Sequence, residues 1–281
     1  MTEDIKIGIV GLGYVGSATF NGLKDFFSIN TFDISKNCSC SSLEELTNSS
    51  DIIFVCVPTP MFKNGKCDLS LVDSVITDID NYSDSKKIII LKSTCLAGTT
   101  DALNKKIKNC SIVFNPEFLR EKHMNEDFMN QKFIILGGKL NDIKRVKKMY
   151  KNIFPDIDYF LTDARIAEMI KYTINNFLAL KVSFANEIYH LCDALGINYN
   201  KMIDIAMKDS RLGDSHLNVP GDDGKFGYGG ACFPKDVSAL LHQMEELNVS
   251  SYIIKATLAR NNEADRPGKD WEQLKGRAVS E

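Results

Sequence analysis

Near its N-terminus the chain reads Ile5-Lys6-Ile7-Gly8-Ile9-Val10-Gly11-Leu12-Gly13-Tyr14-Val15-Gly16, and this stretch decides the fold. An apolar run of strand length leads directly into the glycine spacing GxGxxG, and a helical pattern follows through about Lys24. The first glycine permits a tight turn, the second lets backbone amides approach a pyrophosphate, and the third lets helix and strand pack closely. The helix N-terminus adds oriented N–H groups and partial positive charge. We therefore predict a dinucleotide-binding unit with cofactor contacts at Gly11, Gly13, Tyr14, Val15 and Gly16.

An aspartate follows the second predicted strand, at the position where such folds discriminate between NAD and NADP. Asp33 lies 20 residues beyond Gly13. A carboxylate there accepts hydrogen bonds from the adenosine ribose hydroxyls and repels a 2′-phosphate, so we expect NAD rather than NADP. The alternative is a fold of this type that has lost its ligand.

Seven short apolar runs alternate with helical or polar stretches over the first 163 residues. Buried strands separated by helical segments are typical of a parallel sheet covered on both faces. We predict an α/β fold: a Rossmann-type, mostly parallel sheet with helices on both faces, then a long spine helix and a small all-α domain. The predicted strands are residues 5–10, 28–32, 51–57, 87–91, 111–114, 132–136 and 158–161.

The pattern changes after residue 163. Residues 164–195 contain no Gly or Pro and repeat apolar residues at helical spacing, with Asp163 as the expected N-cap and Gly196 as the residue that ends the helix. A helix of about 32 residues spans roughly 48 Å, so we interpret it as a spine shared by two domains or two subunits. Further helices are predicted at residues 200–208 and 234–246, with a Gly-rich loop over 211–233. The predicted domains are 1–163 (NAD-binding), 164–260 (helical, with the cysteine loop) and 261–281 (a polar tail).

Composition excludes several classes of protein. The net charge of −3 supplies no broad electrostatic surface for nucleic acid. No apolar run approaches the roughly 18–20 residues that cross a bilayer, and the acidic residues 1–4 do not resemble a signal peptide. The eight scattered cysteines suit reduced thiols in the cytoplasm, and the four histidines lack metal-ligand spacing. We therefore expect neither nucleic acid, membrane nor metal as a partner.

The densest chemical signal is Gly229-Gly230-Ala231-Cys232-Phe233-Pro234-Lys235-Asp236. A cysteine after two glycines lies on a loop that a substrate can approach, and Pro234 suits the first turn of a helix. A helix N-terminus and a nearby lysine both favour the thiolate, so Cys232 is a candidate nucleophile. The alternative is a small buried apolar residue, which is how we interpret the other seven cysteines.

Six blocks of sequence occur in an order that resembles the UDP-glucose/GDP-mannose dehydrogenase family, and within it the UDP-glucose 6-dehydrogenases. The resemblance covers about residues 5–260. The blocks are Gly11–Gly16; Val57-Pro58-Thr59-Pro60; Ser93-Thr94 with Gly98-Thr99-Thr100; Asn115-Pro116-Glu117-Phe118-Leu119-Arg120-Glu121; Ala167-Glu168 with Lys171 and Asn175; and Phe226 through Asp236.

The resemblance implies a four-electron oxidation of a sugar C6 alcohol to a carboxylate with two NAD, most closely UDP-glucose to UDP-glucuronate. Cys232 would hold the aldehyde as a thiohemiacetal and then as a thioester, which water hydrolyses. Lys171 and Asn175, four residues apart on one helix face, would stabilise an oxyanion. Asp236 would orient a water or accept a proton, and Glu117 would act as base on a water ordered by Thr94. For Lys171 and for Glu168 the alternative is a solvated helical pair.

The resemblance also implies contacts with both ligands. At the cofactor it places Asp33 and, toward the nicotinamide, Val57, Pro58, Thr59, Thr94 and Lys235. At the substrate it places Phe114, Glu117, Phe118, Leu119, Arg120, Glu121, Lys171, Asn175, Arg211, Phe226, Tyr228, Gly229, Gly230 and Arg260. Arg211 would reach the site of a neighbouring subunit in a homodimer or larger homo-oligomer.

The chain departs from this family after Arg260, where about 20 residues follow instead of a second Rossmann-like domain. The nucleotide half of the substrate would then depend on the tail and a neighbouring subunit, on a separate polypeptide, or on weak binding. Trp271 either stacks on a base or anchors the tail to an apolar surface.

Two other functions remain open from the sequence. One is a two-electron dehydrogenase of the 3-hydroxyacid or 6-phosphogluconate kind, which needs a lysine but no nucleophilic cysteine. The other is a non-catalytic NAD-binding subunit that requires a partner chain. The number of NADH formed per substrate separates the first from a four-electron enzyme.

Overall fold

The computed structural model of the chain describes residues 5–280, which form two compact units. The first takes in the described residues up to Thr59 together with Leu69–Lys171, and the second takes in Pro60–Asp68 and the described residues from Tyr172 onward. The division at residues 163 and 164 and the separate tail stay predictions. Residues 1–4 of the predicted first domain and residue 281 of the predicted tail lie outside the described residues.

A seven-stranded sheet forms the centre of the first unit, in the order β2-β1-β3-β4-β5-β6-β7. Every neighbouring pair is parallel except β5 and β6, which meet in the antiparallel sense at Phe114 and Gly137. All seven predicted strands are present. They are β1 Lys6–Val10, β2 Ser28–Phe32, β3 Ile52–Val55, β4 Lys87–Leu91, β5 Cys110–Phe114, β6 Phe133–Gly137 and β7 Asp158–Thr162.

Helices cover both faces of this sheet, as predicted. Along β3, Ile52 and Phe54 belong to one apolar core while Ile53 and Val55 belong to the other, because successive side chains of a strand point to opposite faces. Helices α1, α5 and α6 contribute to the first core, and α2, α3 and α4 contribute to the second. The six helices are α1 Tyr14–Leu23, α2 Leu43–Asn48, α3 Ser70–Tyr82, α4 Thr99–Lys106, α5 Met124–Met129 and α6 Leu140–Tyr150.

The predicted spine helix is present as α7 Ala164–Ala194, which starts in the first unit and continues through the second. Asp163 caps it as expected, because its carboxylate accepts the Ile166 N–H at 3.0 Å, and Gly196 follows its end at φ +68°. The remaining helices are α8 Tyr199–Ala206, α9 Phe233–Glu246 and α10 Tyr252–Arg260. The long loop predicted at residues 211–233 is present and connects α8 to α9.

The residues after α10 pack within the second unit. Trp271 is 3% exposed and lies in an apolar cluster with Met61, Ala231, Leu274 and Ala278. Of the two interpretations of this tryptophan, the structure supports the anchor.

No helix among residues 5–280 has the length and apolar character that a membrane crossing requires. Within the same residues, no group of three His, Cys, Asp or Glu side chains is arranged to hold a metal ion. All eight cysteines are free thiols.

Candidate active site

The turn between β1 and α1 has the geometry that a dinucleotide phosphate requires. A Cβ on Gly16 would overlap the carbonyl oxygen of Gly11, and Gly11 itself has φ +87° beside the Cys56 carbonyl. A Cβ on Gly13 would meet nothing within 4 Å, so the backbone is open there to an approaching ligand. Gly13 is also the N-cap of α1 and places no side chain over its first N–H groups. These residues fit the pyrophosphate of a dinucleotide.

Asp33 lies beside this turn. Its Oδ2 accepts the Leu12 N–H at 2.6 Å, and its Oδ1 accepts the Ser35 N–H and hydroxyl at 2.8 and 2.9 Å. Burial pushes the pKa of Asp33 upward, but the hydrogen bonds from Leu12 and Ser35 outweigh it and hold the pKa below its usual value. Asp33 is therefore an ionised carboxylate fixed to the glycine turn.

Lys36, which was not predicted from the sequence as a site residue, also contacts the turn between β1 and α1. The Lys36 ammonium donates a hydrogen bond to the Leu12 carbonyl oxygen on the same turn. Its only sequence signal is a basic residue shortly after Asp33.

We expect replacement of Asp33 to weaken NAD binding more than NADP binding. Asp33→Asn keeps an oxygen for the Leu12 N–H but removes the charge, so NAD affinity should fall about tenfold, the value of a hydrogen bond to a charged group. Because the variant no longer repels a 2′-phosphate, the dissociation constants for NAD and for NADP should become more similar. Isothermal titration calorimetry with NAD and with NADP measures both dissociation constants. Asp84→Asn, at a side chain 74% exposed, is the control. Unchanged NAD affinity in Asp33→Asn would contradict the assignment.

The segments that follow β3 and β4 are tied together at the carboxyl edge of the sheet. The Thr59 hydroxyl donates to the Thr94 carbonyl at 2.8 Å, and the Ser93 hydroxyl donates to the Val57 carbonyl at 2.6 Å. Ligands of open α/β sheets bind at this edge. The structure thus brings Val57, Thr59 and Thr94 together with Pro58, which is exposed.

Glu117 and Lys171 form a buried ion pair in the first unit. Lys171 Nζ lies 2.9 Å from Glu117 Oε1 and also donates to the Glu117 carbonyl, and the side chains of Lys171 and Glu117 are 4% and 6% exposed. The other carboxylate oxygen accepts the Leu119 N–H at 2.8 Å. Burial alone would raise the pKa of Glu117, but Lys171, the Leu119 amide and Lys92 hold it below its usual value. Glu117 is therefore ionised.

Lys92 is another lysine that was not predicted from the sequence, and it is buried. Its Nζ donates to Asn115 Oδ1 at 3.0 Å, and that oxygen also accepts the Tyr150 hydroxyl at 2.8 Å. Burial lowers the pKa of Lys92. The available signal was a lysine at the end of a predicted strand, directly before Ser93.

Glu168 and Lys171 are both buried, so the interpretation as a solvated pair is wrong. Glu168 is fully buried, and its carboxylate accepts the N–H groups of Gly98 and Thr100 at 2.7 and 2.8 Å. These amides lie at the start of α4, so Glu168 satisfies a helix terminus from a distant part of the chain. Burial is the main cause that raises the pKa of Glu168. Its position indicates a structural role.

Cys232 occupies the N-cap position of α9 and is partly exposed, with Pro234 in the first turn as predicted. The next charged residues form a buried pair, with Lys235 Nζ 2.6 Å from Asp236 Oδ1. Burial lowers the pKa of Lys235, but Asp236 together with the thiols of Cys232 and Cys67 outweighs it and raises the pKa. Lys235 is therefore a fixed cation in the electrostatic surroundings of Cys232.

Asp236 is fully buried and uses both carboxylate oxygens. Its Oδ2 accepts the Asn175 amide at 2.6 Å, while Oδ1 faces Lys235. The family resemblance implies that Asn175 stabilises an oxyanion and that Lys235 contacts the cofactor. In this structure both donate to Asp236, and their roles toward ligands stay predictions.

The other predicted substrate contacts divide between the units. Lys171 Nζ lies 5.3 Å from the Phe118 ring centre, and Arg120 pairs with Asp127 at 2.6 Å. Phe114 ends β5 in the core, Leu119 is half-buried and Glu121 begins an exposed turn.

In the second unit, Phe226, Tyr228, Gly229 and Gly230 lie on the loop before Cys232. Arg260 is engaged by Asp265 at 3.0 Å. Arg211 is 87% exposed and pairs with Asp209.

Comparison with known proteins places the chain in a family. Residues 22–154 match the NAD binding domain of the UDP-glucose/GDP-mannose dehydrogenase family, and residues 165–263 match its central domain. The chain belongs to the UDP-glucose/GDP-mannose dehydrogenase family. The predicted resemblance, fold and cofactor, NAD, are confirmed.

Individual relatives support the same assignment. The UDP-glucose 6-dehydrogenase TuaD of Bacillus subtilis is 31% identical over 271 residues, which cover 92% of this chain and 57% of TuaD. A UDP-glucose dehydrogenase structure from Pyrobaculum islandicum superimposes with a TM-score of 0.84 at 27% identity, covering 93% of this chain and 68% of that one. A GDP-mannose dehydrogenase from Pseudomonas aeruginosa gives 0.68 at 25% identity, with coverages of 91% and 68%. The chain thus spans little more than half the length of TuaD.

Proposed function

We propose that this chain carries out the NAD-dependent oxidation of a nucleotide-sugar C6 alcohol to a carboxylate, with UDP-glucose as the substrate and UDP-glucuronate as the product. The observation that carries the proposal is the partly exposed Cys232 at the N-terminus of α9, in the field of the buried cation Lys235. A two-electron dehydrogenase has no use for such a thiol. The glycine turn with Asp33 supports NAD as the oxidant.

The proposed reaction has four steps. NAD, when bound, accepts one hydride in each of the two oxidations. In the first, C6 loses a hydride and its hydroxyl proton passes to water that Asp236 orients, which leaves an aldehyde. The Cys232 thiolate then adds to C6, and the carbonyl pair moves onto oxygen to form a thiohemiacetal. Loss of the second hydride gives a thioester on Cys232.

Hydrolysis completes the reaction. Water ordered by Thr94 attacks the thioester carbonyl while Glu117 takes its proton, the C–S bond breaks, and the thiolate leaves with the bonding pair. The sum is one alcohol, two NAD⁺ and one water giving one carboxylate, two NADH and three protons. Because the sugar stays bound to sulfur between the oxidations, the reactive aldehyde is not released.

The ion pair in the first unit supports a role for Glu117 as a base whose basicity rises only when charge develops on the substrate. Paired with Lys171, the carboxylate has a pKa below its usual value and is a weak base. An oxyanion on the substrate competes for the Lys171 ammonium. When Lys171 turns to that oxyanion, Glu117 loses the largest influence that lowers its pKa, and its proton affinity rises.

A spectrophotometric screen of UDP-glucose, UDP-N-acetylmannosamine and GDP-mannose with NAD tests this function. We expect two NADH per molecule of UDP-glucose and slower oxidation of the other two sugars. One NADH per substrate would favour the two-electron alternative. Binding of NAD without reduction by any of the three would favour a subunit that needs a partner chain.

We also propose that the chain forms a homodimer through α7. Phe177, Phe184 and Leu191 recur every seven residues on this helix and are 60%, 60% and 54% exposed. A seven-residue apolar repeat is the pattern with which two copies of one helix pack, and a two-fold axis lets one stripe serve both copies. The free thiols suit a reducing compartment, and we infer the cytoplasm.

Phe184→Glu tests the dimer. Its charge, together with the loss of about 1.5–3 kcal/mol of apolar burial per copy, should weaken association at least about 100-fold. Light scattering after size exclusion should then show a monomer where the wild type shows a dimer. Tyr252→Glu, at an 82% exposed ring on α10, is the control. A monomeric wild type at working concentration would contradict the proposal.

A further inference from the structure

The residues after α10 contact the loop that leads to Cys232 at successive positions. The first contact is made by Asn261, which is fully buried. Its Oδ1 accepts the Tyr228 N–H at 2.7 Å, and its Nδ2 donates to the Tyr228 carbonyl at 3.0 Å. One side-chain amide thus satisfies both backbone groups of a single loop residue. At the preceding Gly227, φ is +65° and a Cβ would overlap Asn261 Oδ1.

The second contact is a buried guanidinium against a glycine. Arg266 is 6% exposed, and a Cβ on Gly229 would overlap its Nη1 and lie 2.8 Å from its Cζ. The guanidinium Nη2 forms an ion pair with Asp223, and Asp270 lies 3.7 Å from its Nε. A long side chain fixed in this way leaves the loop backbone little room to move toward it.

The third contact is apolar and reaches the residue directly before the cysteine. Trp271, 3% exposed, packs with Ala231 in the cluster that includes Ala278. Residues 278–280 are held in turn by Met61, whose N–H donates to the Ala278 carbonyl and whose carbonyl accepts the Ser280 N–H, both at 2.9 Å.

We propose that Asn261, Arg266 and Trp271 form a brace that positions Cys232, with Arg266 as its central positioning residue. This inference rests on the proposed function, in which Cys232 attacks the substrate. The brace fixes residues 228, 229 and 231, so the backbone entering the cysteine keeps one conformation. Nucleophilic attack needs this, because a displacement of about 1 Å from the reacting geometry can cost about 10²-fold in rate.

A double-mutant cycle between Gly229 and Arg266 tests the brace. Gly229→Ala displaces the guanidinium from Asp223, and Arg266→Ala removes it. We expect each variant to lower kcat about 10²-fold with KM for NAD within about twofold of the wild type. Because both changes break the same contact, the double variant should be little worse than Arg266→Ala alone. Arg145→Ala, at an exposed arginine on α6, is the control. Arg266→Lys keeps the charge but not the planar guanidinium, so its kcat should lie between those of the wild type and Arg266→Ala.

Alkylation of Cys232 by iodoacetamide, followed by peptide mass spectrometry, supplies a readout that needs no sugar substrate. We expect the Cys232 rate to change more than about fivefold in Arg266→Ala and Arg266→Lys, while Cys38, the other partly exposed thiol, keeps its rate. Wild-type kcat and a wild-type Cys232 rate in both arginine variants, or strictly additive losses in the cycle, would overturn the brace. If the Cys232 rate responds but the wild type oxidises no nucleotide sugar, the brace stands and the proposed function fails.

Discussion

Cys232→Ser should abolish complete turnover, with the rate of the two-NADH reaction falling at least about 10³-fold. The serine hydroxyl is a far weaker nucleophile at neutral pH than a thiolate, and removal of a nucleophile from a catalytic unit typically costs this much or more. The first oxidation does not use the sulfur. We therefore expect a single turnover in which no more than one NADH forms per bound substrate. Rapid-mixing absorbance at 340 nm would measure both the amplitude and the rate.

The matched control is Cys38→Ser, which changes the only other partly exposed thiol. It should leave rate and stoichiometry unchanged, so a general effect of losing a thiol is excluded. If Cys232→Ser still produced two NADH per substrate at the wild-type rate, the thioester mechanism would be wrong. Loss of the first NADH as well would point instead to a role of the thiol in substrate binding.

Lys171→Met should lose both activity and stability. It leaves Glu117 as a buried carboxylate without its ion-pair partner, and breaking a buried pair in this way costs about 3–5 kcal/mol of unfolding free energy. Loss of the ammonium from a developing oxyanion should lower kcat at least about 10²-fold. Glu117→Gln combined with Lys171→Met removes both charges, so the double variant should recover much of the stability and none of the activity. Urea unfolding and steady-state kinetics of Lys171→Met, Glu117→Gln and the double variant measure these changes in stability and in kcat.

The pH dependence of stability separates this pair from an ordinary surface contact. In the wild type the pKa of Glu117 lies below its unfolded value near 4.5, so its stabilising effect is present above that pH and is lost as the pH falls through the folded value. In Lys171→Met burial raises the pKa of the same carboxyl, and protonation relieves the buried charge. As the pH falls toward about 4.5, the variant gains stability through protonation of Glu117, and below about 4.5 the wild type loses the contribution of the ion pair, so the stability gap between the two proteins should narrow over both ranges. A gap independent of pH would show that the pair contributes no charge interaction.

The features predicted from the sequence are those in which neighbours along the chain define the geometry. The turn at Gly11, the carboxylate of Asp33 and the start of α9 at Cys232 each depend on a few consecutive residues. Short apolar runs separated by helical segments predicted the sheet for the same reason.

The missed features join residues far apart in the chain. Glu168 satisfies amides some 70 residues away, and Asn261 pairs with the backbone of Tyr228, 33 residues earlier. Lys92 looks like a surface lysine in the sequence and is 5% exposed in the fold. Local patterns carry no information about such partners, because the sequence alone does not say which distant segment a side chain will meet.

The hydrogen bonds between Met61 and residues 278–280 also have a consequence for biosynthesis. The strands from β3 onward are each neighbours in the sheet and in the chain, so a nascent polypeptide can add them one after another as it leaves the ribosome. The segment Pro60–Asp68 emerges early, yet residues 278–280, to which Met61 hydrogen-bonds, are translated much later. The nucleotide-binding half can therefore mature during translation, whereas the loop at Cys232 acquires its final surroundings only once residues 278–280 have been synthesised.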